Sequence, residues 1–141
     1  MVKLNKKSGF TLLELIVVII IIAVLASLAL PNFFRTITQA RAAEALQNLG
    51  ALRGSVHRCL YARPDDAAAT LAFCANKGNL DITDPDGVTG HKFTYTVGAI
   101  TGTRQDPIYT ITAADIAGNG NISITQAGVR TGTGSYTSIS G

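Results

Sequence analysis

An almost wholly apolar run over residues 12–31 constrains this chain more than any other feature of its 141 residues. The run, LLELIVVIIIIAVLASLALP, contains a single charged residue, Glu14. At about 1.5 Å per residue, a helix from Phe10 to Leu30 nearly spans the hydrocarbon core of a bilayer. A charge placed inside hydrocarbon costs roughly 2.5–3.5 kcal/mol or more. Either this segment does not stay in lipid, or Glu14 finds a partner there.

The residues that give the chain its net positive charge precede the apolar run. The formal charge is +3, and Lys3, Lys6 and Lys7 account for all of it, so that nine basic and nine acidic residues remain beyond residue 9. A neutral body argues against a nucleic-acid-binding protein, which would carry a dense basic patch. A basic cluster directly before an apolar segment is typical of an end that stays in the cytoplasm.

Beyond Pro31 the helical period continues, but the apolar residues become confined to one face. The predicted apolar face consists of Phe34, Ile37, Ala45, Leu49, Leu52 and Val56, with polar residues between them. Pro31 has no amide hydrogen to donate to the Ser27 carbonyl, so we expect a bend at Pro31. The sequence thus predicts one long, bent helix from about Phe10 to about Leu60, whose second half packs through one side.

Strand patterns occupy the second half of the chain. Residues 92–97, 107–112 and 121–125 alternate in polarity and are separated by Thr-Gly and Asn-Gly turn signals. Residues 128–141 either add an edge strand or form a loose tail. Between helix and strands, Pro64-Asp65-Asp66 is a plausible cap for a short helix over residues 67–75. We therefore predict an α+β fold, in which the second half of the long helix covers an antiparallel sheet of three or four strands.

The chain contains two cysteines, Cys59 and Cys74, which are 15 residues apart. In a chain that starts with an export-like segment, an isolated pair favours one disulfide formed in an oxidising compartment. Two buried free thiols are the alternative. A metal site is not expected, because no second pair of ligands stands at a suitable spacing.

Two acidic stretches raise the question of a calcium site. Asp81, Asp84 and Asp86 precede Gly87, but the later glutamate of a calcium loop is missing. The stretch DIAGNGN, residues 115–121, supplies only one carboxylate. We predict turns at both places, and neither a metal nor a cofactor.

The remaining candidates for chemistry are weak. His57 and His91 lie far apart in the sequence and lack an acid or nucleophile at motif spacing. No G-x-S-x-G, P-loop or H-E-x-x-H motif occurs, so we expect no enzyme. The triplet Asn121-Ile122-Ser123 fits a glycosylation sequon, but its use would require a matching glycosylation machinery.

The N-terminal residues resemble those of a known family. Lys6-Lys7-Ser8-Gly9, then Phe10-Thr11-Leu12-Leu13-Glu14, then the apolar run to Pro31 resemble the N-terminus of type IV pilins. That family includes the pseudopilins of type II secretion and the competence pilins. The resemblance covers residues 6–35, and beyond about residue 60 only the layout of helix followed by sheet agrees. It implies a leader over residues 1–9, an apolar half-helix over 10–31 and a globular pilin domain over 32–141.

The resemblance also implies roles for individual residues. A prepilin peptidase would cut between Gly9 and Phe10, and the new amine of Phe10 would be N-methylated. In the filament, Glu14 would pair with the Phe10 amine of a neighbouring subunit, which partly offsets the cost of burying its charge. An ordinary signal peptide fits less well, because the apolar run exceeds the usual length of about 7–15 residues and no A-x-A site ends it. A plain single-span anchor would not need the spacing of Gly9, Phe10 and Glu14.

The function that the resemblance implies is that of a structural subunit that self-associates into a helical homopolymer. Two machines stay open: a type IV pilus serving adhesion, motility or DNA uptake, and the pseudopilus of a type II secretion system. The small β-rich body, the weak calcium signals and the cysteine pair favour the pilus. The implied partners are the prepilin peptidase, the inner-membrane assembly machinery and, before assembly, the membrane itself. The implied location is the inner membrane for the precursor and then the cell surface, or the periplasm for a pseudopilin.

One departure from the family pattern concerns the cysteines. In many pilins a disulfide pins a C-terminal segment to the sheet. A Cys59–Cys74 bridge would instead staple the connection between helix and sheet. It would leave the tail from Gly128 without a covalent tie.

Overall fold

A computed structural model describes residues 9–63, 65 and 67–139 of the chain. The described residues form two compact units, one that ends at Ile37 and one that begins at Thr38. Helix α1 runs without interruption over Leu12–Tyr61 and contributes to both units, and Pro31 lies inside it. The single long helix predicted from the sequence is confirmed. The bend at Pro31 stays a prediction.

In the second unit, α1 presents a buried face. Its buried residues recur at helical spacing and are Ala42, Ala45, Leu49, Leu52, Ser55, Val56 and Leu60. The predicted apolar face is therefore confirmed from Ala45 onward. It is wrong at its start, because Phe34 is exposed and Ile37 only half-buried. Helical spacing alone predicts that the apolar face continues toward the N-terminus, whereas packing against the core begins only at Ala42.

A short helix, α2, follows over Ala68–Ala75. The sequence predicted its position, but the cap differs from the predicted one. The N-cap residue is Ala67, which makes no side-chain cap hydrogen bond, and the Asp65 carboxylate accepts a hydrogen bond of 2.7 Å from the Thr70 hydroxyl. The other two members of the predicted cap, Pro64 and Asp66, lie outside the described residues. Two 3-10 turns, Lys77–Asn79 and Pro85–Gly87, lead on to the strands.

In the described part of the chain, six strands follow these turns: β1 (Phe93–Val97), β2 (Thr101–Gly102), β3 (Pro107–Ile108), β4 (Thr110–Asp115), β5 (Asn121–Thr125) and β6 (Arg130–Gly132). Four of them form an antiparallel sheet in the order β1-β4-β5-β6, while β2 and β3 form a separate hairpin. The register pairs Tyr95 with Ala113 and Ala113 with Ile122, which places buried side chains opposite one another. The predicted strand over 107–112 is in fact divided between β3 and β4.

The core of the second unit lies between α1 and the four-stranded sheet. Leu49, Leu52 and Val56 of α1 share one cluster with Ile111 of β4 and Ile122 of β5, all fully buried. The predicted α+β architecture, a helix covering a small antiparallel sheet, is confirmed.

The C-terminal residues settle the alternative left open between an edge strand and a loose tail. β6 pairs with β5, and a 3-10 helix over Gly134–Ile139 follows it. Tyr136 in this helix is buried, and its ring centroid lies 5.6 Å from that of Phe93. The tail is therefore packed onto the sheet without a covalent tie.

Candidate functional site

The first candidate is the N-terminal segment, whose first three described residues lie outside the helix. Gly9, Phe10 and Thr11 precede α1. The Thr11 hydroxyl oxygen accepts a hydrogen bond of 3.2 Å from the Glu14 amide, and the Thr11 carbonyl accepts one of 3.3 Å from the Leu15 amide. Thr11 is thus the N-cap of α1. This cap was not predicted from the sequence, although T-x-x-E before an apolar run is a recognised signature of a helix start.

The cap determines where the residues predicted for assembly lie. Glu14 sits in the first turn of α1, where the partial positive charge of the helix end favours a carboxylate. Phe10 is 74% exposed, and no atom lies within 4 Å of a methyl group placed on Gly9. The predicted cleavage, methylation and pairing each involve a second molecule, so these roles stay predictions.

The apolar surface that follows is the most unusual property of this segment. Every Val, Leu, Ile and Phe side chain from Phe10 to Phe34 is exposed. By length and composition α1 contains one span able to cross a membrane, and none of the residues in that span is buried. Continuous apolar patches beyond a few hundred Å² are rare on soluble monomers, so this surface requires a cover of lipid or protein.

The carboxylates over residues 81–86 form ion pairs with basic side chains of the same chain. Arg58 pairs with Asp81 at 2.7 Å, and Lys77 pairs with Asp84 at 3.1 Å and also with Asp86. The Arg58 guanidinium, together with the Ser55 hydroxyl, lowers the pKa of Asp81 to about 2. These carboxylates join α1, the Lys77–Asn79 turn and the loop before β1.

The second acidic stretch forms the turn between β4 and β5. Asp115 is almost fully buried and accepts hydrogen bonds from the Ala117 amide at 2.8 Å, from Asn119 at 3.0 Å and from the Tyr136 hydroxyl at 2.6 Å. Burial raises the pKa of Asp115, but these hydrogen bonds outweigh burial and the pKa lies below its usual value. Among the described residues, no group of three His, Cys, Asp or Glu side chains is placed to hold a metal ion.

The two histidines lie in different settings. His57 packs beside Tyr109, with ring centroids 5.8 Å apart, and burial lowers its pKa. His91 is bonded at 2.9 Å to the Val88 carbonyl in the loop before β1. Neither contact joins a histidine to an acid or to a nucleophile, and their surroundings are those of structural side chains.

The cysteines form the disulfide that the sequence favours. Cys59, in the last turn of α1, is bonded to Cys74 of α2, with Cα atoms 5.8 Å apart. Cys74 is fully buried. The bridge ties the end of α1 to α2.

Comparisons with known proteins find a family motif at the N-terminus and several similar chains. Residues 4–30 match the family model described as the prokaryotic N-terminal methylation motif. The chain is 30% identical over 113 residues to the type IV major fimbrial protein FimA of Dichelobacter nodosus, a match that covers 80% of this chain and 68% of the relative. No solved structure matches the chain at a significant level.

Two further relatives match over shorter lengths. One is the type IV major pilin protein PilA of Myxococcus xanthus (strain DK1622), 35% identical over 77 residues, covering 52% of this chain and 34% of the relative. The other is the prepilin peptidase-dependent protein A of Clostridium perfringens (strain 13 / Type A), 35% identical over 89 residues, covering 62% of this chain and 64% of the relative. The chain thus spans less than two thirds of the length of either protein.

The class of protein is thus defined by an exposed apolar helix start, a prokaryotic N-terminal methylation motif and a helix-covered antiparallel sheet. The FimA match extends through most of both chains and therefore beyond the shared N-terminal motif. The chain belongs to the type IV pilin family.

Proposed function

We propose that this protein is the structural subunit of a type IV pilus. The observation that carries the proposal is the exposure of every Val, Leu, Ile and Phe side chain from Phe10 to Phe34. Lipid covers this surface in the precursor, and the same segments of other copies cover it in the filament. The relatives named as pilins and fimbrial proteins support a pilus rather than another assembly.

Processing precedes assembly in this proposal. A prepilin peptidase cuts the peptide between Gly9 and Phe10, and the new Phe10 amine is methylated. The match to the N-terminal methylation motif and the Clostridium relative, named for its dependence on prepilin peptidase, support these steps. Residues 1–9 act as the leader, 10–31 as anchor and then filament core, and 32–141 as the globular domain. The precursor resides in the inner membrane and the filament on the cell surface.

Glu14 has a defined part in assembly. The Phe10 amine of a neighbouring copy pairs with its carboxylate when the helices pack together. An ion pair in an apolar interior is tolerated only when both partners are present. Such a pair also favours one axial register between neighbouring helices. The position of Glu14 in the first turn of α1, close to Phe10 along the chain, supports this role.

The filament then serves adhesion, motility or DNA uptake. A pseudopilus of type II secretion is the alternative machine. The acidic stretches here favour the pilus, because Arg58, Lys77 and Tyr136 already occupy the carboxylates that a calcium loop would need.

Mass spectrometry of filaments sheared from the cell surface tests the proposal. The expected result is abundant fibres built from this chain, each copy starting at N-methylated Phe10. A strain with the peptidase deleted is the control, and it should retain the uncut precursor in its membranes. Recovery of the processed chain only from periplasmic secretion complexes would contradict the pilus and favour the pseudopilus.

A further inference from the structure

We propose that Thr11 is a positioning residue for the peptidase. By capping α1, its hydroxyl keeps the Gly9–Phe10 peptide outside the helix, where the enzyme can hold the backbone in an extended form. The inference rests on the proposed function, which places the cut at this peptide.

The local hydrogen bonds show how Thr11 determines the start of the helix. Its hydroxyl oxygen accepts from the Glu14 amide and its carbonyl from the Leu15 amide, and the first helical residue is Leu12. Threonine is among the residues preferred at an N-cap, whereas valine, of almost the same shape, is strongly disfavoured there. The hydroxyl, and not the volume of the side chain, therefore specifies Leu12 as the start.

The sequence contains a competing start three residues upstream. Ser8 is also a residue type preferred at an N-cap. A helix capped by Ser8 would have Gly9 and Phe10 as its first two helical residues. The scissile peptide would then lie within a helical turn, whose backbone is compact and cannot be held as a strand. Thr11 favours the later start and so leaves the peptide accessible.

The two starts can be distinguished with matched variants of the full-length precursor. Thr11→Val removes the cap acceptor and keeps the shape, while Thr11→Ser keeps the acceptor. Each variant is held in detergent micelles and incubated with a prepilin peptidase, and cleavage at Gly9–Phe10 is followed by mass spectrometry. We expect Thr11→Val to be cut about fivefold more slowly, the change in equilibrium that an ordinary cap produces, and Thr11→Ser to be cut nearly as fast as the wild type.

A double variant separates capping from direct recognition of the side chain. Ser8→Ala removes the competing cap, so adding it to Thr11→Val should recover most of the lost rate, measured against Ser8→Ala alone. A purely local structural defect at residue 11 would not be rescued by this second change.

Three outcomes would overturn the proposal. The first is equal cleavage of the wild type and Thr11→Val. The second is slow cleavage of both Thr11→Val and Thr11→Ser, which would mean that the peptidase reads this side chain directly. The third is no rescue by Ser8→Ala. Each of them leaves the proposed function intact, whereas a wild-type chain that is not cut at Gly9–Phe10 would contradict the proposed function as well.

Discussion

At the scale of single residues, Asp115 connects the β4–β5 turn with the C-terminal 3-10 helix. Its carboxylate accepts hydrogen bonds from the β4–β5 turn and from Tyr136 in the C-terminal 3-10 helix. The phenol therefore fastens the C-terminal residues to the sheet, although the disulfide lies elsewhere, between Cys59 and Cys74.

Replacing Tyr136 with phenylalanine tests this contact. Tyr136→Phe keeps the ring against Phe93 but removes the hydrogen bond to a buried carboxylate, so we expect a loss of about 1.5–3 kcal/mol in the free energy of unfolding. Urea unfolding of the full chain in detergent, followed by circular dichroism, measures it. Tyr61→Phe is the matched control, because Tyr61 is exposed and its loss should change stability little. Equal effects of the two variants would contradict a specific role for the Tyr136 hydroxyl.

The same contact predicts a pH dependence. The hydrogen bonds on Asp115 lower its pKa in the folded state, so its stabilising contribution is complete above the unfolded value of about 3.9. That contribution is lost as the pH falls through the lower, folded pKa. Unfolding free energies of the wild type and Asp115→Asn should therefore differ at pH 7 and converge as the pH falls below about 4. A difference that stays constant down to pH 2 would show that ionised Asp115 contributes nothing specific.

At the scale of structural elements, the disulfide joins α1 to α2. We expect Cys59→Ser with Cys74→Ser to lower the free energy of unfolding by about 3 kcal/mol, the loop-closure value for 15 residues. Unfolding with and without a reducing agent measures this. Reduction should destabilise the wild type and leave the double variant unchanged. A double variant as stable as the oxidised wild type would mean that the bridge adds no stability.

How much the sequence predicts differs from element to element. The second half of the long helix and strands β1 and β5 have clear periodicity, because their apolar residues face one core, and the sequence predicts them well. The predicted strand over 107–112 overlaps β4 (Thr110–Asp115) only in part. The hairpin of β2 and β3 was missed, since two-residue strands carry no periodic signal. The start of the core at Ala42 was also missed, because periodicity does not show where the sheet begins to cover α1.

The missed contacts share one physical reason. Tyr136 and Asp115 are 21 residues apart, and only the folded sheet brings the phenol to the carboxylate. The ion pair of Arg58 with Asp81 depends in the same way on tertiary packing, across 23 residues. The N-cap at Thr11 is different, because its signature is local and was present in the sequence.

At the scale of the whole molecule, replacing Glu14 tests its proposed role in assembly, with the exposed Glu44 of the same helix as the comparison. We expect Glu14→Ala to be cut by the peptidase nearly as well as the wild type but to assemble poorly or to lack methylation at Phe10. Electron microscopy of sheared fibres and mass spectrometry of Phe10 measure the two effects. Glu44→Ala is the control, since Glu44 is exposed on the same helix, outside the apolar segment. Normal, methylated filaments from Glu14→Ala would contradict the pairing role.

The proposed pilus requires that neighbouring copies cover the apolar surface from Phe10 to Phe34. Cryo-electron microscopy of the assembled filament tests this most directly. We predict that residues 12–30 of neighbouring copies pack against one another in the filament interior, with helix axes about 8–10 Å apart. A filament held together only by its globular domains, with these helices facing solvent or separated from one another, would contradict it.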